Sequence, residues 1–482
     1  MIDSQLIDGE PQFDSGSFRD PAGRVFFANG RVFRSLSDIA GRNFESLNST
    51  GCYNRLIAEG ILLPTRTLKS EEVGPLAELN ASMILEHEKI RHISYAYEWS
   101  FSLLKRAALA HLDLHISCLK DGFTLVDGNT YNVQFSGVSP KFIDTPSIVP
   151  HKEGEAWFGY AQFCEQFVAP LMLSADIGVP FHPWLRGSPN GVPLEYVSKL
   201  LPLRKHFSFN RLVHIVLHNR MQKKYAAHGE NVRADRRISR AMTKDRLSSF
   251  LLSLRHLVDS MKIAQSGQTE WENYENLGHY GGADQQEKMA FVAHAVEQKS
   301  PDILWDIGCN TGQFAQIALA AGAKSVVGFD VDLGALDIAV ERATQKSLNF
   351  LPLYFDALNP SPNQGWAERE RGGIISRSSA DMIVALAVIH HIVISGDIPL
   401  RQAIEWIVGR AKSGVIEFVT REDPMVKRLL ANREDHFDDY NVSAFEAYVL
   451  DHCQIVKRVA IQGGDRILYS FERKKAGPTH HG

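Results

Sequence analysis

One stretch decides most of what this chain can fold into. From residue 302 onward an apolar strand, a glycine turn, a helix and a second apolar strand follow without a break. ILWDIG is a short apolar run, CNTGQ a turn, FAQIALAAG a helical run, and SVVGFDVD the next strand. This alternation predicts a parallel α/β sheet, because parallel neighbours must be joined by a crossover and a helix is the compact one. The turn holds Asp306, Gly308, Asn310 and Gly312. Glycine lets the backbone reverse sharply and approach a ligand, and asparagine tolerates positive φ better than most residues. The helix that follows points its first N–H groups at whatever the turn holds.

A single glycine turn is a weak signal, and Asp330 strengthens it. That acid lies 22 residues beyond Gly308, at the end of the next apolar strand. A carboxylate there can accept both hydroxyls of a ribose, as in dinucleotide-binding folds. The expected ligand is therefore of adenosine type. Asp306, just before the turn, suits a ligand with a cationic amino-acid end. Asp356 in FLPLYFDALNP is expected to end the third strand and to accept from an adenine amino group. At the far end HCQIVKRVAI and RILYSFER are joined by QGGD. A tight Gly-Gly turn makes these an antiparallel hairpin, where a dinucleotide fold would finish its sheet parallel.

These segments resemble the class I S-adenosyl-L-methionine-dependent methyltransferases. DIGCNTGQF is similar to the family's first motif, with Asn310 where a middle glycine is common. GFDVD, FDAL and ADMIVALAVIHHI are similar to the second, third and fourth motifs. GVIEFV resembles the fifth strand and the terminal hairpin the reversed last strand. The resemblance implies a Rossmann-like, seven-stranded α/β sheet with S-adenosyl-L-methionine as cofactor. It implies that Asp330 binds the ribose, Asp356 the adenine, and the Asp306–Gly312 turn the methionine end. Any one of these residues alone could serve only as a helix cap or a turn. Three acids at three successive strand ends, in order, argue for a pocket.

Methyl transfer needs the acceptor in line with an already activated carbon, so positioning and desolvation can supply most of the acceleration. A general base is required only for a hydroxyl or a protonated amine. His390 and His391, after the fourth strand, are the catalytic candidates, and each also reads as a packed loop histidine. Glu417 and His436 are weaker candidates. Glu434, Asp435, Asp438 and Asp439 are irregularly spaced and read as a solvated loop, so no metal is expected.

At 482 residues the chain exceeds what one hydrophobic core serves. We expect an α+β domain over 1–175, a helical linker region over 176–270 and the methyltransferase domain over 271–476. The front half should hold a hairpin at Asn29–Gly30, a helix around Trp99–Lys120, strands over FTLVDGNTYNVQF and PKFIDTPSI, and helix from Phe158 to Leu173. Residues 230–265 read as a solvated amphipathic helix joining the domains. The stretch with Gly278, Gly281 and Gly282 reads as a lid or entry segment. Asp127, Asn132 and Asp144 are spaced like the catalytic loop and metal-binding aspartate of kinase-like phosphotransferases. His-Arg before Asp127, a phosphate loop and a strand lysine are all missing, so a degenerate module or an Asx-rich turn competes with that reading. The layout as a whole resembles a group of bacterial proteins that includes rhizobial host-specific nodulation proteins of the NoeA kind, which implies modification of a nodulation signal or another saccharide.

The net charge of −4 gives no bulk attraction to nucleic acid, and DNA is not an expected partner. The longest apolar run, Met382–Ile394, contains two histidines and is too short to span a bilayer. Five scattered cysteines and an acidic, polar start fit a cytoplasmic protein. The expected acceptor is a small molecule or saccharide, with a protein partner through the front half as a further option. A non-catalytic cofactor-binding protein is the competing class. Protein or RNA methylation loses ground because the fourth strand reads ALAVIHH where amide and exocyclic-amine methylation would call for an Asn/Asp-Pro-Pro-Tyr pattern.

Overall fold

The computed structural model describes residues 10–69, 72, 76, 79, 81–201, 242–263, 282–431 and 433–474. The chain divides into two compact units. The front unit comprises Met1–Phe135, Ser139–Ser266 and Pro362–Gly373, and the second comprises Ser136–Val138, Gly267–Ser361 and Ile374–Gly482. Segment 362–373 thus lies between strands of the second unit in sequence and packs with the front unit, where Glu370 pairs with Arg19 at 2.6 Å.

The front unit opens with a five-stranded antiparallel sheet. Its strands are β1 (Gln12–Phe13), β2 (Gly23–Ala28), β3 (Arg31–Leu36), β4 (Thr65–Thr67) and β5 (Met83–His87), in the order β1-β2-β3-β5-β4. The expected hairpin is there: Ala28 pairs with Arg31 across Asn29 and Gly30, both at positive φ, the conformation a two-residue hairpin turn demands. Helices α1 (Asp38–Ser49) and α2 (Cys52–Ala58) precede β4. Helix α3 (Phe101–Lys120) starts where the Ser100 hydroxyl accepts the Leu103 N–H. Strands β6 (Phe123–Leu125) and β9 (Ile148–Pro150) pair, as do β7 (Val133–Ser136) and β8 (Ser139–Phe142). Helical turns occupy Tyr160–Ile177.

Helix α4 (Lys244–Ser260) lies in the stretch read as a linker. It buries Leu247, Leu251, Leu254, Leu257 and Val258 and packs along α3, with Arg255 paired to Asp113 at 2.5 Å. Its apolar stripe is a core face. Residues 230–241, and the segment with Gly278 and Gly281, lie outside the described residues.

The second unit is built on a seven-stranded sheet. Its strands are β10 (Leu304–Ile307), β11 (Val326–Asp330), β12 (Phe350–Tyr354), β13 (Met382–Ala385), β14 (Ser413–Val419), β15 (Cys453–Ile461) and β16 (Arg466–Arg473). Their order is β12-β11-β10-β13-β14-β16-β15. Strands β10 to β14 run parallel, and β16 runs antiparallel to both β14 and β15. Burial on both faces explains the apolar text of β10, β13 and β14, in which Asp306, Ser413 and Glu417 are the buried polar exceptions. Flanking helices include α5 (Gly282–Lys299), α6 (Gln313–Ala320) and α7 (Leu333–Gln345). The chain winds outward from β10 to β12, then returns to β13 on the other side of β10. That reversal opens a crevice at the carboxyl ends of β10 and β13, where ligands bind in such sheets.

Candidate functional site

The glycine turn occupies that crevice. Gly308, Asn310 and Gly312 all take positive φ, at 74°, 47° and 81°. Gly308 and Cys309 donate their N–H groups to the Phe329 carbonyl, which ties the turn to β11. Gly312 then caps α6, leaving that helix's first N–H groups directed at the crevice. A Cβ on Gly308 would meet Val388 Cγ2 at 2.6 Å, and one on Gly312 would meet the Phe350 ring at 2.4 Å. Both glycines are therefore required by packing as well as by φ.

Each of the three acids has a local task and spare capacity. Asp306 is 2% exposed, with the Ala315 N–H in the first turn of α6 near enough to favour its charged form. Its Oδ2 is buried and has no hydrogen-bond partner in the described structure. Burial, then the Asp330 charge, push its pKa up to about 7. Asp330 accepts from the Asn310 N–H through Oδ2 at 2.8 Å and from the Asp332 N–H through Oδ1 at 2.9 Å. Burial raises its pKa, against the pull of those hydrogen bonds. Asp356 lies two residues past the end of β12, part-exposed, and its Oδ1 accepts the Leu358 N–H at 2.9 Å. Val331, next to Asp330, and Leu358, two residues past Asp356, are exposed apolar side chains, 53% and 51% accessible. A buried carboxyl oxygen lacking a donor, in a cradle two side chains would fill, fits a ligand carrying a cationic amine.

The structure separates the two histidines. His390 is 0% exposed, whereas His391 keeps part of its surface, and their ring centroids lie 4.1 Å apart. Burial holds both neutral: His390 is lowered far below the usual range, and His391 falls to about 4. Glu417 is 0% exposed and ion-paired with Lys288 of α5 at 2.9 Å. His436 is exposed in the segment after the helix Pro424–Leu430, 3.7 Å from Asp397. Glu434, Asp435 and Asp438 are exposed and Asp439 part-exposed, with Asp435 held by Arg421 at 2.5 Å. Among the described residues no group of three His, Cys, Asp or Glu is placed to hold a metal. A surface hollow of about 620 Å³, lined by Lys299, Asp302, Asp381, Lys412 and Arg473, opens at the opposite, N-terminal ends of β10 and β13. Position on the sheet, not size, therefore marks the ligand crevice.

In the front unit the kinase-like trio converges. Asp144 follows β8 and is gripped by Arg34 of β3, which also lies 3.8 Å from Asp20. Asp127 has its pKa raised by burial and by the charges of Asp144 and Asp20. Asn132 Nδ2 is buried there with no hydrogen-bond partner in the described structure. The cation paired with Asp144 is thus an arginine of β3.

Sequence reading missed Lys288, Arg466, Asp423, Val388 and Arg34. For Lys288 a signal exists, since it falls on the helix face of buried Phe291, Val292 and Val296. The others meet partners distant in the sequence and have none.

A methyltransferase-domain family profile matches residues 305–414. The nodulation protein NoeA of Rhizobium meliloti (strain 1021) is 40% identical over 477 residues, covering 98% of this chain and 99% of that protein. Among solved structures, the N-methyltransferase NodS of Bradyrhizobium japonicum WM9 with S-adenosyl-L-homocysteine is 18% identical. It matches over 43% of this chain and 95% of its own, with a TM-score of 0.32. The magnesium protoporphyrin IX methyltransferase ChlM of Synechocystis PCC 6803 is 14% identical over 43% and 90%, with a TM-score of 0.30.

Proposed function

The chain belongs to the NoeA family of nodulation proteins and is an S-adenosyl-L-methionine-dependent methyltransferase, and we propose that its acceptor is a saccharide of a nodulation signal. The cofactor supplies the activated methyl group, and the chain supplies place and surroundings. The Asp306–Gly312 turn receives the methionine end, with the unpartnered Asp306 Oδ2 facing its ammonium. Asp330 takes the ribose hydroxyls and Asp356 the adenine amine, with Val331 and Leu358 as apolar flanks.

The observation that carries the acceptor side is His391, which is part-exposed and held neutral after β13. A neutral imidazole offers a lone pair across the working pH range. It orients a sugar hydroxyl and takes its proton as the new C–O bond forms in the transition state, where the oxygen is becoming strongly acidic, so a weak base suffices. His390, wholly buried, packs behind it. We read the front unit as the part that recognises the acceptor or a partner protein. No described helix is long and apolar enough to cross a membrane. We place the protein in the cytoplasm, on the ground that its five cysteines are free and buried, as thiols stay in a reducing compartment.

The test is formation of S-adenosylhomocysteine from purified protein with a panel of neutral and amino oligosaccharides. Turnover should depend on an oligosaccharide and fall about 10²–10⁴-fold in His391→Asn, with S-adenosylhomocysteine affinity unchanged. Turnover with a protein or RNA fraction and with none of the sugars would overturn the saccharide reading.

A further inference from the structure

Methyl transfer leaves the Asp127–Asn132–Asp144 constellation of the front unit without a task. Main-chain hydrogen bonds bring its three parts together. The Val126 N–H, next to Asp127, donates to the Ser147 carbonyl at 3.0 Å. The Ile143 N–H, next to Asp144, donates to the Asn132 carbonyl at 2.9 Å. Buried side chains then fix the loop from Asp127 to Asn132. His111 Nε2 donates to the Asp127 carbonyl at 3.0 Å, and the Gly128 N–H donates to Gln162 Oε1 at 3.0 Å. The Thr130 N–H and hydroxyl both donate to Gln166 Oε1, at 3.0 and 2.6 Å. None of these bonds uses the Asp127 carboxylate or the Asn132 carboxamide.

Around this loop, donors lack acceptors. Arg34 is 8% exposed, and its Nη1 donates to Asp144 and lies 3.8 Å from Asp20. Its Nε is buried and, in the described structure, has no acceptor. The same holds for Asn132 Nδ2 and for Nε of Arg371, whose guanidinium lies 3.8 Å over the ring of Tyr131, the residue before Asn132. Buried polar groups in folded proteins are nearly always hydrogen-bonded, so three unmet nitrogens around one loop call for a ligand rich in acceptor oxygens. The carboxylates call for a cation. Asp20, Asp127 and Asp144 stand against the single charge of Arg34, and burial, then the Asp144 charge, raises the pKa of both Asp20 and Asp127.

A phosphate chain carrying Mg²⁺ meets both demands at once. Guanidinium groups match phosphate oxygens in geometry and charge. Mg²⁺ bound with phosphates takes only one or two protein oxygens, so it needs no cage of three acids, and none exists among the described residues.

We propose that this part of the front unit is a second ligand site, which takes a magnesium-complexed di- or triphosphate through Asp144, Asn132, Arg34 and Arg371. The Asp144 carboxylate and the Asn132 carboxamide oxygen hold the ion. Arg34, released from Asp144 as the ion arrives, pairs with the phosphate oxygens, as does Arg371. The site lies wholly within the front unit and does not rest on the reading of the methyltransferase pocket.

Calorimetry on the whole protein, with S-adenosylhomocysteine in excess to fill the other pocket, tests the site. Tripolyphosphate, adenosine triphosphate and guanosine triphosphate are titrated, each with magnesium and each with a chelator. At least one should bind at a single site, only with magnesium, and about tenfold or more weaker in Asn132→Ala and in Arg34→Met. Equal affinity for all three assigns recognition to the phosphate chain, and a preference for one nucleotide adds a contact to its base; either supports the site. No binding by any of the three overturns the proposal. So does binding that survives the chelator, or binding that S-adenosylhomocysteine displaces. Should Arg34→Met fail to fold, Asn132→Ala decides, since it removes an amide nitrogen that has no partner to lose. Unchanged affinity in that variant also overturns the proposal.

Discussion

Asp330 Oδ2 accepts the Asn310 N–H at 2.8 Å, so the carboxylate read as the ribose ligand also closes the glycine turn onto the neighbouring strand. We propose that the residue that binds and the residue that shapes the cradle are the same one. Asp330→Ala should therefore weaken S-adenosylhomocysteine binding at least tenfold, consistent with charge-assisted hydrogen bonds worth about 1.5–3 kcal/mol. Asp330→Asn keeps one acceptor oxygen and should lose less. Calorimetric titration decides, and equal affinity in all three proteins would remove Asp330 from the pocket.

Asp306 gives the site a pH dependence with a definite sign. Its pKa is about 7 in the folded protein, against 3.8 for an unperturbed aspartate. An acid whose pKa is raised on folding contributes stability below the unfolded value and loses that contribution as pH rises through the folded one. The ligand-free protein should accordingly lose Tm between about pH 4 and 7 from this group, and Asp306→Asn should flatten that slope. Binding of a cation favours the ionised carboxylate. Affinity for S-adenosylmethionine should then climb with pH up to about 7, with proton release on binding. Calorimetry in buffers of different ionisation enthalpy reads that release, and a pH-independent affinity would separate Asp306 from the ammonium.

Gly308 and Val388 should behave as one unit. Gly308→Ala places a Cβ 2.6 Å from Val388 Cγ2 at a φ of 74°, adding a clash to a left-handed penalty of about 1–2 kcal/mol. Val388→Ala in the same protein relieves the clash and leaves the backbone penalty. The double variant should therefore be more stable than Gly308→Ala alone, and should regain part of its S-adenosylhomocysteine affinity. Additive losses in thermal unfolding would show that the two residues do not meet.

The second unit was legible because its information is local. DIGCNTGQF carries a buried strand, its turn and its helix start within nine residues, and the Gly463–Gly464 turn announces the β15–β16 hairpin. Asp356 was expected at a strand end and lies two residues beyond it, since β12 stops at Tyr354. The buried set around Glu417 was hidden for a different reason. Its members come from α5, β14, β16 and the residue capping the helix Pro424–Leu430, more than 100 residues apart at the extremes. Nothing in spacing brings Lys288 to Glu417. Arg34 was hidden because it lies 110 residues before Asp144, and no spacing in the sequence joins the two.

That pairing leads to the last prediction. Arg34 and Asp144 are largely buried, their side chains 10% and 16% exposed, and Asp20 stands 3.8 Å from the same guanidinium. Asp144→Ala leaves a buried arginine with one distant partner and should cost about 1–3 kcal/mol. Arg34→Met with Asp144→Ala removes both charges and should recover part of that loss. We propose the two units as separate modules, so neither change should alter S-adenosylhomocysteine affinity by more than about twofold. A larger fall in affinity in a protein that remains folded, by circular dichroism, would tie the Asp127–Asn132–Asp144 constellation to the methyltransferase site. Unchanged affinity with lowered stability would leave that constellation as a structural clamp within the front unit.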